Sequence, residues 1–409
     1  MRTSTSLLLG GVALLAMLPS LLSAALINAA VQMLIAALFA SAYSLLAGRA
    51  GMLSFGHAAY FGVGAFATVH GMNALGGTGL LPTPLLPLVG AAAGFAFGVV
   101  AGWVATQRSG TAFAMITLAI AEILHALAPQ LKGLFGGESG ISAMRMPAWG
   151  LDFGSSTQVY YLALGWVLLS LLLLYFHTLT PAGRLTLGLR ENSHRLRFLG
   201  YDVHRLGVSA FAISGLFSGI AGGLQVLANE AANYVVFEAS VSASVVLNSY
   251  IGGVGVFLGP ALGAALMTFF GYAVSDTTQA WLLYQGVLFV LVMMFMPEGL
   301  VGLGGAAARQ VRRLGVAHAL PLLLVWLLAV LLLAAGAVFL IELLQRLCSH
   351  DYRAMAAMTS SLPPVTMFGG AWEATGVVTW ACPLALLALG GMLLVYAQRR
   401  LRTKEEGTS

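Results

Sequence analysis

Long apolar runs leave this chain few ways to fold. Apolar stretches of about twenty residues follow one another from residue 7 to residue 397, and most of the charges gather in the gaps. A helix needs about 20 apolar residues to cross the hydrocarbon of a bilayer. In that solvent each peptide group must be bonded within its own helix or within a closed barrel. The runs are continuous and do not alternate, which favours helices over lumen-facing strands. Charged residues make up 8% of the chain and hydrophobic ones 59%, whereas about a quarter of a soluble domain is charged. The expected fold is all-α, a polytopic transmembrane helical bundle.

The charges then orient the bundle. Residues 183–205 hold Arg184, Arg190, Arg195, Arg197 and Arg205 against Glu191 and Asp202. Arginines in a short loop between apolar spans mark the cytoplasmic side. Arg2, Arg49, Arg108, Arg309, Arg312, Arg313, Arg399, Arg400 and Arg402 fall on the same side if spans lie near 7–22, 25–46, 52–72, 85–106, 111–128, 160–178, 206–228, 239–256, 258–274, 281–296, 320–344 and 377–397. That path gives about ten core spans plus a two-span C-terminal extension, with both termini cytoplasmic. The division is an N-terminal helix over 1–24, a core over 25–308 and an extension over 309–409. Residues 7–22 also fit a signal peptide, with small residues at Ala24 and Ala25. A retained first helix is expected, since no soluble domain follows. The Gly-rich loop 129–158 and the loop bearing Arg346, His350, Asp351 and Arg353 fall outside. Within the arginine island, 189–199 reads as a short helix ended by Gly200. A helix at the membrane surface suits a grip by another protein.

Several function classes drop out. The net charge of +5 is explained by arginines at span ends, so nucleic acid is not an expected partner. Lys132 and Lys404 are the only lysines, and neither follows a G-x-x-x-x-G pattern. An ATPase driving this protein is therefore another chain, and no cofactor is expected here. Cys348 and Cys382 pair only if both lie outside; otherwise they are two unpaired thiols. No Cys–His spacing suggests a metal. No Ser–His–Asp or paired-carboxylate pattern is present either, so an enzyme is not expected. Gly90, Gly94, Gly98 and Gly102, like Gly215, Gly219 and Gly223, recur every four residues and line one helix face. Such faces allow close helix packing within one chain or between two.

Three polar interruptions invite function. Gly51 to His57 (GMLSFGH) reads as a broken helix at the mouth of a span, with Ser54, Gly56 and His57 free to line a pathway. Alternatively, His57 fixes a neighbouring helix. Glu122 lies inside a span, where a carboxylate is costly and by default functional. Capping by a helix end or a pairing with His125 is the plainer reading. Gly252, Gly253, Gly255, Gly259 and Pro260 interrupt another apolar run as a turn or a hinge. Glu230, Glu238 and Asp276, near span ends, are expected to be solvated.

Six segments in order carry a family resemblance. They are ASAYSLLAGRAGMLSFGHAAYFGVGA (40–65), TLAIAEI (117–123), GGESGI (136–141), LREN (189–192) with LGYDV (199–203), GGVGVFLGPALGA (252–264) and PEGLVGL (297–303). Together these resemble the LivM-type permeases of branched-chain amino-acid ABC importers, over about two-thirds of the chain. The resemblance implies a bacterial inner-membrane importer of five parts: two different permeases, two cytoplasmic ATPases that bind ATP, and a periplasmic solute-binding protein. It places Arg190, Glu191, Asn192, Leu199 and Gly200 where such permeases meet the ATPase. Urea, short amides and aromatic acids are further substrates the family implies. Two departures stand out: Ser193-His-Arg-Leu-Arg197 replaces small residues, and about 95 residues follow Arg313. That extension has no assigned role beyond an accessory hairpin in contact with the complex or with membrane lipid. The alternative function is an ATPase-independent channel or ion-coupled carrier.

Overall fold

A computed structural model describes residues 2–76, 80–275, 278, 280–296, 298–302, 305, 316–359 and 362–406. Asp276, Pro297, Leu303, Arg309, Arg312 and Arg313 lie outside them. The described residues are mostly helical and form two compact units, Met1–Tyr272 with Leu288–Gly302 and Ala273–Val287 with Leu303–Ser409.

The first unit opens with α1 (Arg2–Met17), whose last turn accepts hydrogen bonds from Tyr160 and Tyr161 at the Leu15 and Ala16 carbonyls (2.8 and 3.0 Å). Next come α2 (Ala24–Ser44), α3 (Ala58–Leu75), α4 (Pro87–Ala105), α5 (Thr111–Leu127), the single turn α6 (Lys132–Phe135) and α7 (Ser156–Leu179). The sequence continues through α8 (Pro181–Phe198), α9 (Val203–Asn229), α10 (Ala239–Gly252), α11 (Gly259–Ser275) and α12 (Trp281–Phe295), the last two divided between the units. Two short strands, β1 (Ile141–Ser142) and β2 (Ala231–Ala232), pair antiparallel with Ile141 opposite Ala232.

Among the described residues, six helices are long and apolar enough to cross a membrane: Ala24–Ala50, Thr83–Ala105, Ser156–Leu179, Val203–Asn229, Leu320–Cys348 and Val377–Ala397. A seventh is counted if Thr111–Leu127 and Lys132–Ser139, bent by 96°, form one broken span. The remaining expected spans are shorter helices, for physical reasons visible in the chain. Residues 51–57 are unwound, so α3 begins only at Ala58. The 14 residues of α10 reach about 21 Å, short of the ~30 Å hydrocarbon core.

The centre of the first unit is a near-contact of backbones. The α4 glycines meet the α9 glycines within the one chain. A Cβ on Gly94 would lie 2.2 Å from the Gly215 carbonyl oxygen, and one on Gly90 2.5 Å from that of Gly219. Gly64 of α3 packs on the same Gly219. Glycine-lined faces replace the water-driven force that is missing between helices in lipid with close van der Waals contact. Around this seam Leu38, Phe39, Tyr43, Phe61, Phe217, Leu224 and Phe237 form a buried apolar core.

In the second unit α13 (Val316–Cys348) and α15 (Val377–Glu406) run alongside each other. A Cβ on Gly390 would come within 2.8 Å of Leu333 and one on Gly336 within 2.9 Å of Leu387. The connection holds α14 (His350–Thr359) and a hairpin of β3 (Val365–Met367) and β4 (Gly370–Trp372), with Val365 opposite Trp372. Phe339, Leu343, Tyr352, Val365 and Met367 pack together beneath it. Glu342 is buried, accepts a 2.9 Å bond from the Tyr284 hydroxyl and lies 3.7 Å from Arg346. Cys348 and Cys382 are free thiols, so of the two alternatives it is the unpaired one that the structure contains.

Candidate functional site: a surface helix bonded to an unwound segment

The arginine island folds as two helical pieces. They meet at a kink in α8, at Asn192, whose φ and ψ of −163° and 94° are extended. The Asn192 side chain caps the second piece, accepting from the Arg195 N–H at 2.9 Å. That piece ends in a Schellman motif. Gly200 has φ +87°, its N–H donates to the Arg197 carbonyl, and the Tyr201 N–H donates to the Leu196 carbonyl, both at 3.0 Å. Asp202 then caps α9 by accepting from the Arg205 N–H at 3.1 Å. Leu196 is the buried anchor. Phe198 stands 92% exposed and Leu199 65% exposed at the tip. The expected helix over 189–199 is thus a pre-shaped knob joined by a kink to a longer helix. Glu191 is exposed beside it.

Arg190 points the other way. Its guanidinium donates to the carbonyl of Gly48. Gly48 lies in a wide π-type turn, Leu45–Ala50, that ends α2, and Gly51 (φ +69°) closes that turn against Arg190. A Cβ on Gly48 would sit 2.6 Å from the Val254 carbonyl oxygen. Three chain segments therefore touch here: the surface helix, the end of α2 and the turn after α10.

Beyond Gly51 the chain is unwound to His57, and hydroxyls from other helices satisfy its backbone. Thr117 Oγ1 on α5 accepts from the Phe55 N–H at 3.1 Å, and Ser242 Oγ on α10 accepts from the Ala58 N–H at 2.9 Å. Irregular backbone at membrane depth needs such partners. Gly56 passes so close to α5 that a Cβ would fall 1.8 Å from the Thr117 carbonyl oxygen. Ser54 and His57 are both fully buried. His57 Nε2 lies 2.9 Å from Ser218 Oγ and 3.1 Å from Ser214 Oγ, while the Ser214 hydroxyl donates to the Ala42 carbonyl at 2.7 Å. With its single proton committed, Ser214 accepts from His57, which assigns the Nε2–H tautomer on hydrogen-bonding grounds. The ring sits among Phe39, Tyr43 and Tyr60 at centroid distances of 5.5, 5.3 and 5.2 Å. Ser54 Oγ and His57 Nδ1 have no hydrogen-bond partner among the described residues.

Glu122 is not in this cluster. It lies on α5 with 48% of its side chain exposed and its carboxylate 3.9 Å from His125 Nδ1. Met115, Ala119 and Ala126 share its face at helical spacing and are exposed as well. Glu230, expected to be solvated, keeps 39% of its side chain exposed and also pairs with Arg145, which donates from its backbone N–H (3.0 Å) to the same carboxylate.

The glycine turn is a crossing point. A Cβ on Gly252 would lie 2.0 Å from the Gly259 carbonyl oxygen, and one on Gly253 (φ +105°) 2.2 Å from that of Glu298. Pro260, the second residue of α11, is buried, whereas Gly255 has open space around it. Ser214, Ser218, Ser242 and Phe198 join the site without having stood out in the sequence, and Thr117 joins it from the 117–123 segment without having been given a role there. The signal that could have found the first pair is their spacing of four residues on one face of an apolar helix.

The comparisons with known proteins agree with this architecture. Residues 25–297 match the family described as branched-chain amino acid transport system, permease component. The chain is similar to the high-affinity branched-chain amino acid transport system permease protein LivM of Salmonella typhimurium, with 29% identity over 309 residues that cover 69% of this chain and 71% of that protein. The protein of the same name in Escherichia coli is 28% identical over the same extent. No solved structure matches. A multi-pass helical chain matched over most of its length in this way belongs to the family of branched-chain amino-acid transport permeases.

Proposed function

We propose that this chain is one of two permease subunits of a bacterial inner-membrane ABC importer for a branched-chain or related small amino acid. Its partners are a second, homologous permease, two cytoplasmic ATPases and a periplasmic solute-binding protein. ATP binds to the ATPases, and this chain performs no chemistry. The names of the relatives support the substrate class.

The observation that carries the mechanism is the bond from Arg190 to the Gly48 carbonyl. It ties a surface helix with an exposed tip to the end of α2 and so to the unwound segment. An ATPase holding Phe198, Leu199 and Glu191 would pull on Arg190 and hence on residues 51–57. His57 would carry that motion to α9 through Ser214 and Ser218. Ser54, Gly56 and His57 then act as the moving wall of the pathway, and Gly252, Gly253, Gly255, Gly259 and Pro260 as the turn against which it moves.

Glu122 supports a place for the second permease. A carboxylate at mid-helix is not left facing lipid tails. The α5 face bearing Glu122 is open in this chain. In the complex it faces the path enclosed with the second subunit. The test is co-purification with the chain's gene neighbours, followed by uptake in proteoliposomes. Recovery of an ATPase and a second permease in fixed ratio, with ATP-dependent amino-acid uptake, is expected. A lone chain that moves amino acids along an ion gradient would overturn the proposal.

A further inference from the structure

A cavity of about 900 Å³ opens between the surface helix, the turn joining α4 to α5, and the unwound segment. Its charged lining is of one sign. Arg108 and Arg197 border it, and no Asp or Glu does among the described residues. Its apolar lining includes Leu53, Phe55 and Phe113. The cavity therefore offers guanidinium groups, which bind carboxylates by paired charge-assisted bonds, next to a surface that shelters a hydrocarbon body. It touches both parts of the proposed coupling path: Phe55 and Leu53 flank Ser54, while Arg197 lies one residue from Phe198.

We infer that this cavity is the cytoplasmic exit vestibule of the permease, and that Arg108 and Arg197 hold the carboxylate of a departing solute whose branched apolar body rests on Leu53, Phe55 and Phe113. The inference rests on the transport function proposed above. Because no acidic side chain among the described residues lines the cavity, the ammonium of an α-amino acid finds no counter-charge there. The hold on the natural solute is therefore loose, as release requires, and the corresponding carboxylate without the amine binds more tightly.

The test places one thiol in the vestibule. Ser109, which lines the cavity, is changed to Cys in a Cys348→Ser, Cys382→Ser background, and the complete transporter is placed in proteoliposomes of neutral lipid. Maleimide alkylation of the new thiol is timed with 4-methylpentanoate, leucine or leucinamide present. 4-Methylpentanoate should slow alkylation several-fold, leucine less and leucinamide not at all, and Arg108→Gln should abolish the protection. Equal slowing by leucinamide, protection that survives Arg108→Gln, or no protection would overturn the inference. So would protection conferred only by adding anionic lipid, which would assign the cavity to phosphate headgroups. Leucine uptake is measured on the same preparation. Its absence in the unmodified transporter would overturn the transport reading itself, whereas uptake without protection would overturn the vestibule alone.

Discussion

In the proposed mechanism, single side chains decide how force enters this protein. Phe198 is an aromatic ring left exposed at the end of a doubly capped helical turn. Exposed aromatic anchors of this kind often dominate an interface, and truncating one costs about 2 kcal/mol, roughly 30-fold in affinity. Phe198→Ala should therefore weaken ATPase binding by that order in a pull-down titration, with membrane insertion unchanged. Unaltered affinity would move the contact elsewhere on the island. On the inner side, Ser214 and Ser218 divide the hold on His57. Removing one hydroxyl costs about 1 kcal/mol as a lost hydrogen bond, and more when a buried partner is left unpaired. The single changes Ser214→Ala and Ser218→Ala should each lower the detergent melting temperature modestly, and the double change should cost more than either. Additive, negligible effects would mean that His57 is held by its aromatic neighbours alone.

Among the helices, α4 and α9 bear on each other most closely. Their glycine ladders were legible in the sequence, as was the choice between packing inside one chain and packing between two. The structure shows the first. Overfilling a tight seam costs about 1–3 kcal/mol or more. A Cβ on Gly94 or Gly215 would meet backbone, which cannot swing aside. Gly94→Val should thus reduce the yield of folded protein after detergent extraction, while Gly165→Val, with open space around it, should not. A normal yield for Gly94→Val would show that the seam yields to an added side chain. The unwound segment was equally legible, since GMLSFGH breaks an apolar run with two glycines and a histidine. Its hydroxyl partners were not. Thr117 and Ser242 lie 62 and 184 residues from the amides they satisfy, and no local pattern reports such pairings. For the same reason the link from Arg190 to Gly48, 142 residues apart, could not be read from charge patterning, which marks only the side of the membrane.

The whole chain extends beyond the segment that the family match covers. The family match ends at residue 297, and the second unit contributes two long helices under a small folded cap. Deleting 316–409 should leave measurable uptake if this hairpin is accessory, and complete loss with normal ATPase binding would make it part of the pathway. The length of the apolar runs made the helical class plain, but not the number of full crossings. Short helices such as α10 are apolar without being long enough, and only the backbone shows where a run is broken. In the proposed mechanism transport requires the surface helix to drive the unwound segment, and Arg190 bonds one side of that joint to the other. The measurement is ATP hydrolysis and leucine uptake, side by side, in proteoliposomes carrying the complete transporter with Arg190→Gln. Hydrolysis should persist while uptake falls at least about ten-fold, a loss of roughly 1.4 kcal/mol of coupling. Uptake that keeps its normal ratio to hydrolysis would contradict the proposed joint.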